Sequence, residues 1–361
     1  MQVLKLHFKF QFVFFVSLLY IGSHHFALSR PVLLASVQSS ENKLRDTQQL
    51  PVSSIPVHDP VMICQDGSWY IFATGNGINV FSSTDMKSWK KEPPVFDAVP
   101  EWVFEALPGY RGKSLWAPDV IYHKGLYYLY YSVSVFGKNQ SCIGLAVNKT
   151  LNRNSSDFEW KDLGKVVQSV PGRDMWNAID PNLAFDEQGS PWLAFGSFWG
   201  GIKLIALKED LQTLANPEKW FTLAGRPRDP SYADTLAGDA AIEAPFIFRK
   251  DDYYYLFVSW DYCCRGERSN YKVVVGRSKA IYGPYLDKAG VDMRRNGGTL
   301  VMSGDIKQWH GTGHNSVYTF DGKDYFVCHG YDAHDKGRAK LIVRDLDWKD
   351  GWPEVLSLEL R

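Results

Sequence analysis

The chain has 361 residues, with 40 Lys plus Arg and 40 Asp plus Glu, so its formal net charge is zero. This balance excludes the broad basic surface that nucleic acid or an anionic membrane attracts. Hydrophobic residues make up 45% of the chain and charged residues 22%, which excludes global disorder and allows a sizeable core. Aromatic residues are frequent at 15%, and together with 30 glycines they favour a β-rich protein with a neutral ligand such as a sugar.

The N-terminus predicts a secretory signal peptide. Lys5 and Lys9 precede an apolar run of about 12 residues, too short to span a bilayer, and small residues follow near Ala27. Residues 1–29 are therefore predicted to be removed on secretion, which leaves an extracellular protein without a membrane attachment; an uncleaved anchor is the alternative. Residues 30–54 are polar and lack periodicity, and we expect them to form an N-terminal tail.

The chain has five cysteines, so at least one is unpaired or pairs with another molecule. Five are too few for a disulfide scaffold in a chain of this length. Cys263 and Cys264 are adjacent, and this spacing fits either a vicinal disulfide or a packed pair of thiols.

A short motif recurs along the chain, in which a small or acidic residue and a proline precede an apolar strand. Four copies contain a proline and a fifth has asparagine in its place: Pro60, Pro118, Pro181, Pro245 and Asn315. An aromatic strand is centred ten or eleven residues after each, at Tyr70, Tyr128, Trp192, Tyr255 and Tyr325. The polar or glycine-containing segments in between are typical hairpin turns.

Five units of about sixty residues, each built of short strands, predict an all-β fold: a five-bladed β-propeller. The propeller is expected to occupy residues 55–361 as a single domain, rather than the two domains that length alone suggests. We expect the segment from Trp348 to Arg361 to complete the last blade or to close the ring.

Carboxylates stand near the start of three of the five units. The innermost strands of a propeller line its channel, so Asp59, Asp180 and Glu243 should converge around one axis. Asp119 lies one residue beyond its proline and should point elsewhere. Converging carboxylates fit either a metal cage or acid–base chemistry, in which burial and like charges separate their pKa values.

The motifs, in this order and spacing, resemble glycoside hydrolase family 43. They are His58-Asp59-Pro60, Trp116-Ala117-Pro118-Asp119, Asn177-Ala178-Ile179-Asp180-Pro181-Asn182 and Ile242-Glu243-Ala244-Pro245. Further segments resemble the endo-α-1,5-L-arabinanases of that family: Gly196–Leu204, Ser259–Gly266 and Gly311–Asn315. The resemblance covers about residues 55–345, nearly all of the chain that follows the tail.

The resemblance implies an inverting mechanism on a five-bladed propeller. Asp59 would be the general base that activates water, and Glu243 the general acid that protonates the leaving oxygen. Asp180 would tune the acid and orient the substrate. No organic cofactor is implied.

The resemblance also implies a calcium ion near the channel centre, held largely by water and a histidine. His314 occupies the matching motif. Because calcium prefers oxygen ligands, a hydrogen-bonded strand histidine remains the alternative for this residue. His310, His329 and His334 are candidates only for a second metal ligand or for structural hydrogen bonds.

Five residues in or beside the motifs are candidates for substrate binding: Trp116, Phe136, Asn177, Ser197 and Tyr262. Aromatic faces stack on sugars, and amides or hydroxyls bind sugar OH groups. Each of the five could instead belong to the core or to a loop. Arg265 could pair with a carboxylate of the cluster or brace its own loop.

The sequence thus predicts a secreted, monomeric hydrolase that cleaves internal α-1,5 bonds of linear arabinan, a pectin side chain. On the same fold, an exo-arabinanase, an α-L-arabinofuranosidase or a β-xylosidase is the nearest alternative. A retaining fructan-processing propeller with an Asp nucleophile is another. A non-catalytic sugar-binding propeller is the last, and the intact set of Asp59, Asp180 and Glu243 argues against it.

Overall fold

The computed structural model describes residues 50–51 and 54–356. The described residues form 22 strands and one short α-helix, α1 (Trp102–Ala106), with 3₁₀ turns at Gly266–Arg268 and Met293–Arg295. No helix in this part of the chain has the length and apolar character needed to cross a membrane. The predicted signal peptide, residues 1–29, lies outside the described residues.

The strands form five antiparallel sheets, which are the blades of the propeller. The first ten strands are β1 (Leu50–Pro51), β2 (Val61–Gln65), β3 (Ser68–Ala73), β4 (Gly75–Asn76), β5 (Asn79–Ser83), β6 (Ser88–Glu92), β7 (Ser114–His123), β8 (Leu126–Ser134), β9 (Ser141–Asn148) and β10 (Lys161–Ser169). The next eight are β11 (Asn182–Phe185), β12 (Pro191–Phe195), β13 (Ile202–Ala206), β14 (Trp220–Ala224), β15 (Ile242–Lys250), β16 (Tyr253–Trp260), β17 (Lys272–Ser278) and β18 (Thr299–Ser303). The last four are β19 (Trp309–Phe320), β20 (Lys323–Asp332), β21 (Arg338–Lys349) and β22 (Trp352–Val355).

Within the blades the strand orders are β1-β6-β5-β3-β2, β10-β9-β8-β7-β4, β11-β12-β13-β14, β15-β16-β17-β18 and β19-β20-β21-β22. The predicted all-β, five-bladed propeller is therefore confirmed. The repeated motif marks the innermost strand of each blade, and the aromatic segment after it is the second strand.

Two-residue turns join the first two strands in four of the five blades, and residues 186–190 join them in the third. Asp66-Gly67 joins β2 to β3 and Lys124-Gly125 joins β7 to β8, and φ is positive at both residues of each turn. A type I′ turn requires positive φ at both positions, which glycine adopts without a steric penalty. The local turn chemistry thus closes the hairpins that the sequence predicts.

Five apolar clusters fill the spaces between neighbouring blades. The cluster that closes the ring packs Ile71 and Trp89 of the first blade against Val327 and Val343 of the last, and all four are fully buried. Fully burying a side chain of this kind is worth roughly 1.5–3 kcal/mol. Side-chain packing therefore joins the two ends of the ring.

Both ends of the described part of the chain contribute strands to the outer edges of blades. β22 pairs with β21, with Pro353 opposite Trp348, so the described part of the C-terminal segment completes the last blade as predicted. Residues 357–361 lie outside the described residues. β1 pairs with β6, with Leu50 opposite Trp89. The first blade thus takes a strand from residues 30–54, the segment predicted to be a tail.

The innermost strand of every blade is bent at the same place, beside the repeated proline or its asparagine counterpart. The bend is a residue in the left-handed region: Asp59 (φ 54°), Ala117 (φ 41°), Asp180 (φ 58°), Ala244 (φ 55°) or His314 (φ 52°). Strand pairing shifts register there in β7, β15 and β19. Such backbone is uncommon outside glycine and costs of order 1–3 kcal/mol, and it concentrates at functional sites. These bends re-aim the side chains beside them.

Candidate active site

Three carboxylates lie at these bends and line one cavity of about 510 Å³. Asp59 and Asp180 are themselves left-handed residues, and Glu243 directly precedes one. Their exposed fractions are 8%, 6% and 9%. The fold therefore brings together the three side chains that the repeat predicts. Asp119 points away, as expected, and accepts the backbone N–H of Leu183 at 2.7 Å.

Four neighbours fix the position of Asp59. Its Oδ1 contacts Nδ1 of His58 at 2.8 Å and Nδ1 of His314 at 3.0 Å. Its Oδ2 accepts the hydroxyl of Thr74 at 2.5 Å, and its backbone N–H donates to Nδ1 of His329 at 3.1 Å. Burial opposes ionisation, but the contacts with His58 and His314 outweigh it and hold the pKa of Asp59 well below its usual value. Asp59 is thus an ionised carboxylate, as a general base must be.

One arrangement of protons satisfies the contacts around His58. Nδ1 of His329 accepts the backbone N–H of Asp59, so the ring proton of His329 is on Nε2. This Nε2–H donates to the Tyr331 hydroxyl at 3.2 Å. The backbone N–H of Cys264 donates to the same hydroxyl at 2.8 Å. The Tyr331 proton is then directed at Nε2 of His58, 2.7 Å away, and Nδ1–H of His58 is directed at Asp59. Burial lowers the pKa of His329 well below its usual value, in agreement with a neutral ring.

Asp180 is bonded to the strand that carries Glu243. Its Oδ2 accepts the backbone N–H of Ala244 at 3.1 Å. Burial raises the pKa of Asp180 well above its usual value against the attraction of His314, and the charges of Glu243 and Asp59 raise it further. The surroundings therefore move the pKa values of Asp59 and Asp180 in opposite directions, a pattern that separates the roles of carboxyl groups within one site.

Two hydroxyls hold the carboxylate of Glu243, one on each oxygen. Ser197 donates to Oε2 at 2.8 Å and Tyr271 donates to Oε1 at 2.7 Å. Burial and the charge of Glu243 raise the pKa of Tyr271 well above its usual value. Tyr271 therefore keeps its proton and remains a donor, so the orientation of Glu243 is fixed from both sides.

The residues predicted to bind substrate line a second cavity of about 390 Å³, which adjoins the first and shares Glu243 with it: Trp116, Phe136, Asn177, Ser197 and Tyr262. The Phe136 ring is 76% exposed and stands edge-on to Trp116, with centroids 6.3 Å apart. Asn177 is buried and accepts a hydrogen bond from Ser141 at 2.6 Å. The Arg265 guanidinium lies 3.7 Å above the Tyr262 ring centroid. Of the two predicted roles, pairing with a carboxylate or bracing the loop, Arg265 therefore has the second.

Cys263 and Cys264 form a disulfide that lines both cavities. The sequence allowed either a vicinal disulfide or a packed pair of thiols, and the structure contains the disulfide. The remaining cysteines, Cys64, Cys142 and Cys328, are free thiols, which accounts for the odd number.

His314 lies between the carboxylates with one ring nitrogen in use. Its Nδ1 contacts Asp59, and its Nε2 has no hydrogen-bond partner among the described residues. Burial disfavours the charged ring, but Asp59 outweighs it and raises the pKa of His314 to about 9, so the ring carries both protons when no cation is bound. A cation at Nε2 would displace the proton there and leave Nδ1–H donating to Asp59. Both polar side-chain atoms of the adjacent Asn315 are buried without a partner within the described chain. The neutral imidazole nitrogen beside buried carboxylates then fits a cation held mainly through water, the kind of site that the resemblance implies.

Several residues of the cluster were not predicted: His58, Thr74, Tyr271 and Tyr331. His58 could have been found from its place beside Asp59. Thr74 follows Pro60 by fourteen residues, as His329 follows Asn315, so the repeat register marks this position. Tyr271 lies outside the repeated segments, and no pattern in the sequence points to it.

A ring of five blades with buried carboxylates gathered at its bends is the architecture of a propeller glycoside hydrolase. The model of glycosyl hydrolases family 43 matches residues 48–353, and the chain belongs to that family.

Two relatives and one solved structure show how similar the chain is to characterised proteins. It is 52% identical over 307 residues to the extracellular exo-alpha-(1->5)-L-arabinofuranosidase ArbA of Cellvibrio japonicus (strain Ueda107), covering 85% of this chain and 88% of that protein. It is 43% identical over 301 residues to the extracellular endo-alpha-(1->5)-L-arabinanase 1 of Bacillus subtilis (strain 168), covering 82% and 87%. The structure of Cellvibrio cellulosa alpha-L-arabinanase complexed with arabinohexaose superposes with a TM-score of 0.81 at 51% identity, covering 85% of this chain and 96% of that one.

Proposed function

We propose that the chain is a secreted, inverting endo-arabinanase that cleaves internal α-1,5 bonds of linear arabinan. Membership of family 43 and the names of its relatives support the substrate class, and the word extracellular in both names supports secretion. One relative is named exo-acting and the other endo-acting, so the relationship alone favours neither mode.

The shape of the cleft carries the proposal of endo action. The cavity that holds the carboxylates extends past them to His58 and Ala339. The second cavity overlaps the first at Glu243 and reaches residues that the first does not, Trp199 and Gly238. In this proposal the two adjoining cavities hold sugar units on either side of the bond that is cut, as cleavage at internal positions requires.

In this proposal the three carboxylates divide the reaction between them. Asp59 takes a proton from the water that attacks the anomeric carbon, and Glu243 gives a proton to the leaving sugar oxygen as the glycosidic bond breaks. Asp180 holds the Glu243 strand through Ala244. Its raised pKa favours the neutral acid, which limits repulsion within the cluster.

Product analysis on linear arabinan tests the mode of cleavage. Endo action predicts a rapid fall in viscosity and an early mixture of oligosaccharides. An exo-acting arabinofuranosidase is the second candidate, favoured by the 52% identical relative. It would release arabinose as the sole early product while viscosity falls slowly. The same digestion of branched arabinan shows whether side chains block the cleft.

Glu243→Ala tests the proposed general acid. General acid–base catalysis typically contributes 10²–10⁴-fold, so we expect kcat on linear arabinan to fall by about 10³-fold or more while the circular dichroism spectrum is unchanged. Glu209→Ala is the matched control, because the Glu209 side chain is 91% exposed and far in sequence from the repeat motifs. Near-normal turnover by Glu243→Ala would overturn the assignment.

We also propose that a calcium ion binds beside His314, held largely through water. When bound, it would supply positive charge close to the carboxylates. Calcium added to enzyme dialysed against chelator should raise Tm, because a ligand of the folded state stabilises it. His314→Gln should lose this response. No rise in Tm and no calcium in the purified protein would contradict the proposal.

We also propose that the enzyme acts as a monomer, since the carboxylates and the cleft residues named above form a site that needs no residue from a second copy. Light scattering on the purified protein checks this expectation. A mass twice that of the chain would contradict it.

A further inference from the structure

The five left-handed residues of the innermost strands are held by one belt of hydrogen bonds around the channel. In each bond the backbone N–H of a left-handed residue donates to a side chain from the preceding part of the ring. The pairs are Asp59 with His329 Nδ1, Ala117 with Thr74 Oγ1, Asp180 with Ser132 Oγ, Ala244 with Asp180 Oδ2, and His314 with Ser259 Oγ. All five distances lie between 2.8 and 3.1 Å.

Four acceptors of the belt occupy one register of the repeat, fourteen residues after the proline or asparagine of their unit: Thr74, Ser132, Ser259 and His329. In the third blade the equivalent residue is Gly196, since its N–H donates to Ile179 as that of Thr74 donates to His58. Glycine has no side chain to offer. The carboxylate of Asp180 takes its place and accepts from Ala244, which is why this one carboxylate is part of the belt.

Thr74 differs from the two serines of the belt, because its hydroxyl also reaches a carboxylate. Oγ1 of Thr74 lies 2.8 Å from the backbone nitrogen of Ala117 and 2.5 Å from Oδ2 of Asp59. An N–H group can only donate, so the hydroxyl accepts from Ala117 and its single proton is committed to Asp59. Within the described chain, neither Ser132 nor Ser259 makes a second bond of this kind through its hydroxyl.

We infer that Thr74 is a positioning residue for the carboxylate of Asp59, an inference that rests on the proposed role of Asp59 as general base. His58 and His314 both contact Oδ1, so among the described residues Thr74 is the donor that holds Oδ2. Without this bond the carboxylate can tilt about Oδ1. The oxygen that receives the proton from water then loses its fixed direction, and a misplacement of about 1 Å can cost about 100-fold in rate.

Thr74→Val removes the hydroxyl and keeps the shape of the side chain. On linear arabinan we expect kcat to fall about 10- to 100-fold, with KM changed by less than about twofold, because the Thr74 hydroxyl faces Asp59. Thr74→Ser restores the hydroxyl and should bring kcat back to within about threefold of the wild type. A kcat that stays at the wild-type level in Thr74→Val, or that is not rescued by Thr74→Ser, would overturn the inference.

Ser132→Ala is the matched control for the structural part of the effect, because it breaks a belt bond without removing a donor to a carboxylate. Thr74→Val and Ser132→Ala should lower Tm by similar amounts, but Thr74→Val should lose more kcat. Equal losses of kcat would mean that Thr74 only braces the ring.

Asp59→Asn separates the two claims. If Asp59→Asn stays active, the proposed general base is wrong and the inference about Thr74 falls with it. If Asp59→Asn is inactive while Thr74→Val has the wild-type kcat, the inference about Thr74 fails alone.

Discussion

Ser197 and Tyr271 each hold one oxygen of Glu243, and substitution can separate their contributions. Both hydroxyls stabilise the carboxylate that Glu243 becomes as it gives up its proton. A hydrogen bond to a charged group is worth about 1.5–3 kcal/mol, so we expect Ser197→Ala and Tyr271→Phe each to lower kcat at least about tenfold. Ser197 also lines the cleft, whereas Tyr271 lines neither cavity. Kinetics on linear arabinan should therefore show a higher KM for Ser197→Ala alone, if Ser197 binds sugar as predicted. An unchanged KM in both variants would leave Ser197 only as a support of Glu243.

At the scale of residues, the sequence predicts the charged groups better than the groups that orient them. Asp59, Asp180 and Glu243 stand out because a carboxylate near a repeated strand start is unusual and recurs in register. The repeat register marks the position of Thr74 but not its role, because a polar residue at the end of a strand is common. Its meaning lies in a 2.5 Å contact that only the folded ring creates.

The loop between β16 and β17 links the cleft wall to the Asp59 cluster. Its disulfide lines both cavities, and the N–H of Cys264 donates to Tyr331. Two cations brace the start of the loop, because Asp261 pairs with Arg226 at 2.6 Å and with Lys272 at 2.7 Å. The disulfide is therefore the part of this loop that both shapes the cleft and positions Tyr331.

Reduction of this disulfide should lower kcat/KM on linear arabinan several-fold. A dithiol reductant opens the bridge by thiol–disulfide exchange, which frees the backbone at Cys264 and loosens the contact with Tyr331. The double variant Cys263→Ser/Cys264→Ser should show the lowered kcat/KM without reductant and should not respond to it. The other three cysteines of the described chain are already free thiols with no bond for a reductant to open, so this variant checks that the effect comes from the bridge. A wild-type enzyme unaffected by full reduction would contradict the prediction.

At the scale of elements, the sequence predicts hairpins and misses bends. The turns Asp66-Gly67 and Lys124-Gly125 are evident because each has a polar residue followed by a glycine, which adopts positive φ without a steric penalty. The bends at Ala117 and Ala244 are not, because alanine has no preference for the left-handed region. The belt of hydrogen bonds and the interrupted strand pairing hold them there, and both depend on neighbouring strands.

At the scale of the whole molecule, the repeat predicts a ring of five blades, whereas the bonds that join blades come from the structure. Asp119 makes two of these bonds, because its Oδ2 accepts hydrogen bonds from the backbone N–H of Leu183 at 2.7 Å and from the side-chain amide of Asn182 at 3.3 Å, both in the next blade.

Burial raises the pKa of Asp119 from 3.8 to about 7, although these hydrogen bonds lower it. The folded ring therefore binds this proton more tightly than the unfolded chain does. Its contribution to stability is complete below about pH 4, is lost as the pH rises towards 7, and stays lost above that.

Asp119→Asn should remove this pH dependence. Asparagine keeps an oxygen that can accept from Leu183 and Asn182, but it cannot ionise. The difference in free energy of unfolding, variant minus wild type, should therefore rise between about pH 4 and pH 7 by an amount on the order of a few kcal/mol, and then level off. Thermal unfolding of both proteins across this range measures the difference, and Asp252→Asn, whose side chain is 85% exposed, is the matched control. A difference that is flat from pH 4 to 7 would mean that Asp119 is ionised throughout, because the hydrogen bonds from the next blade then outweigh its burial.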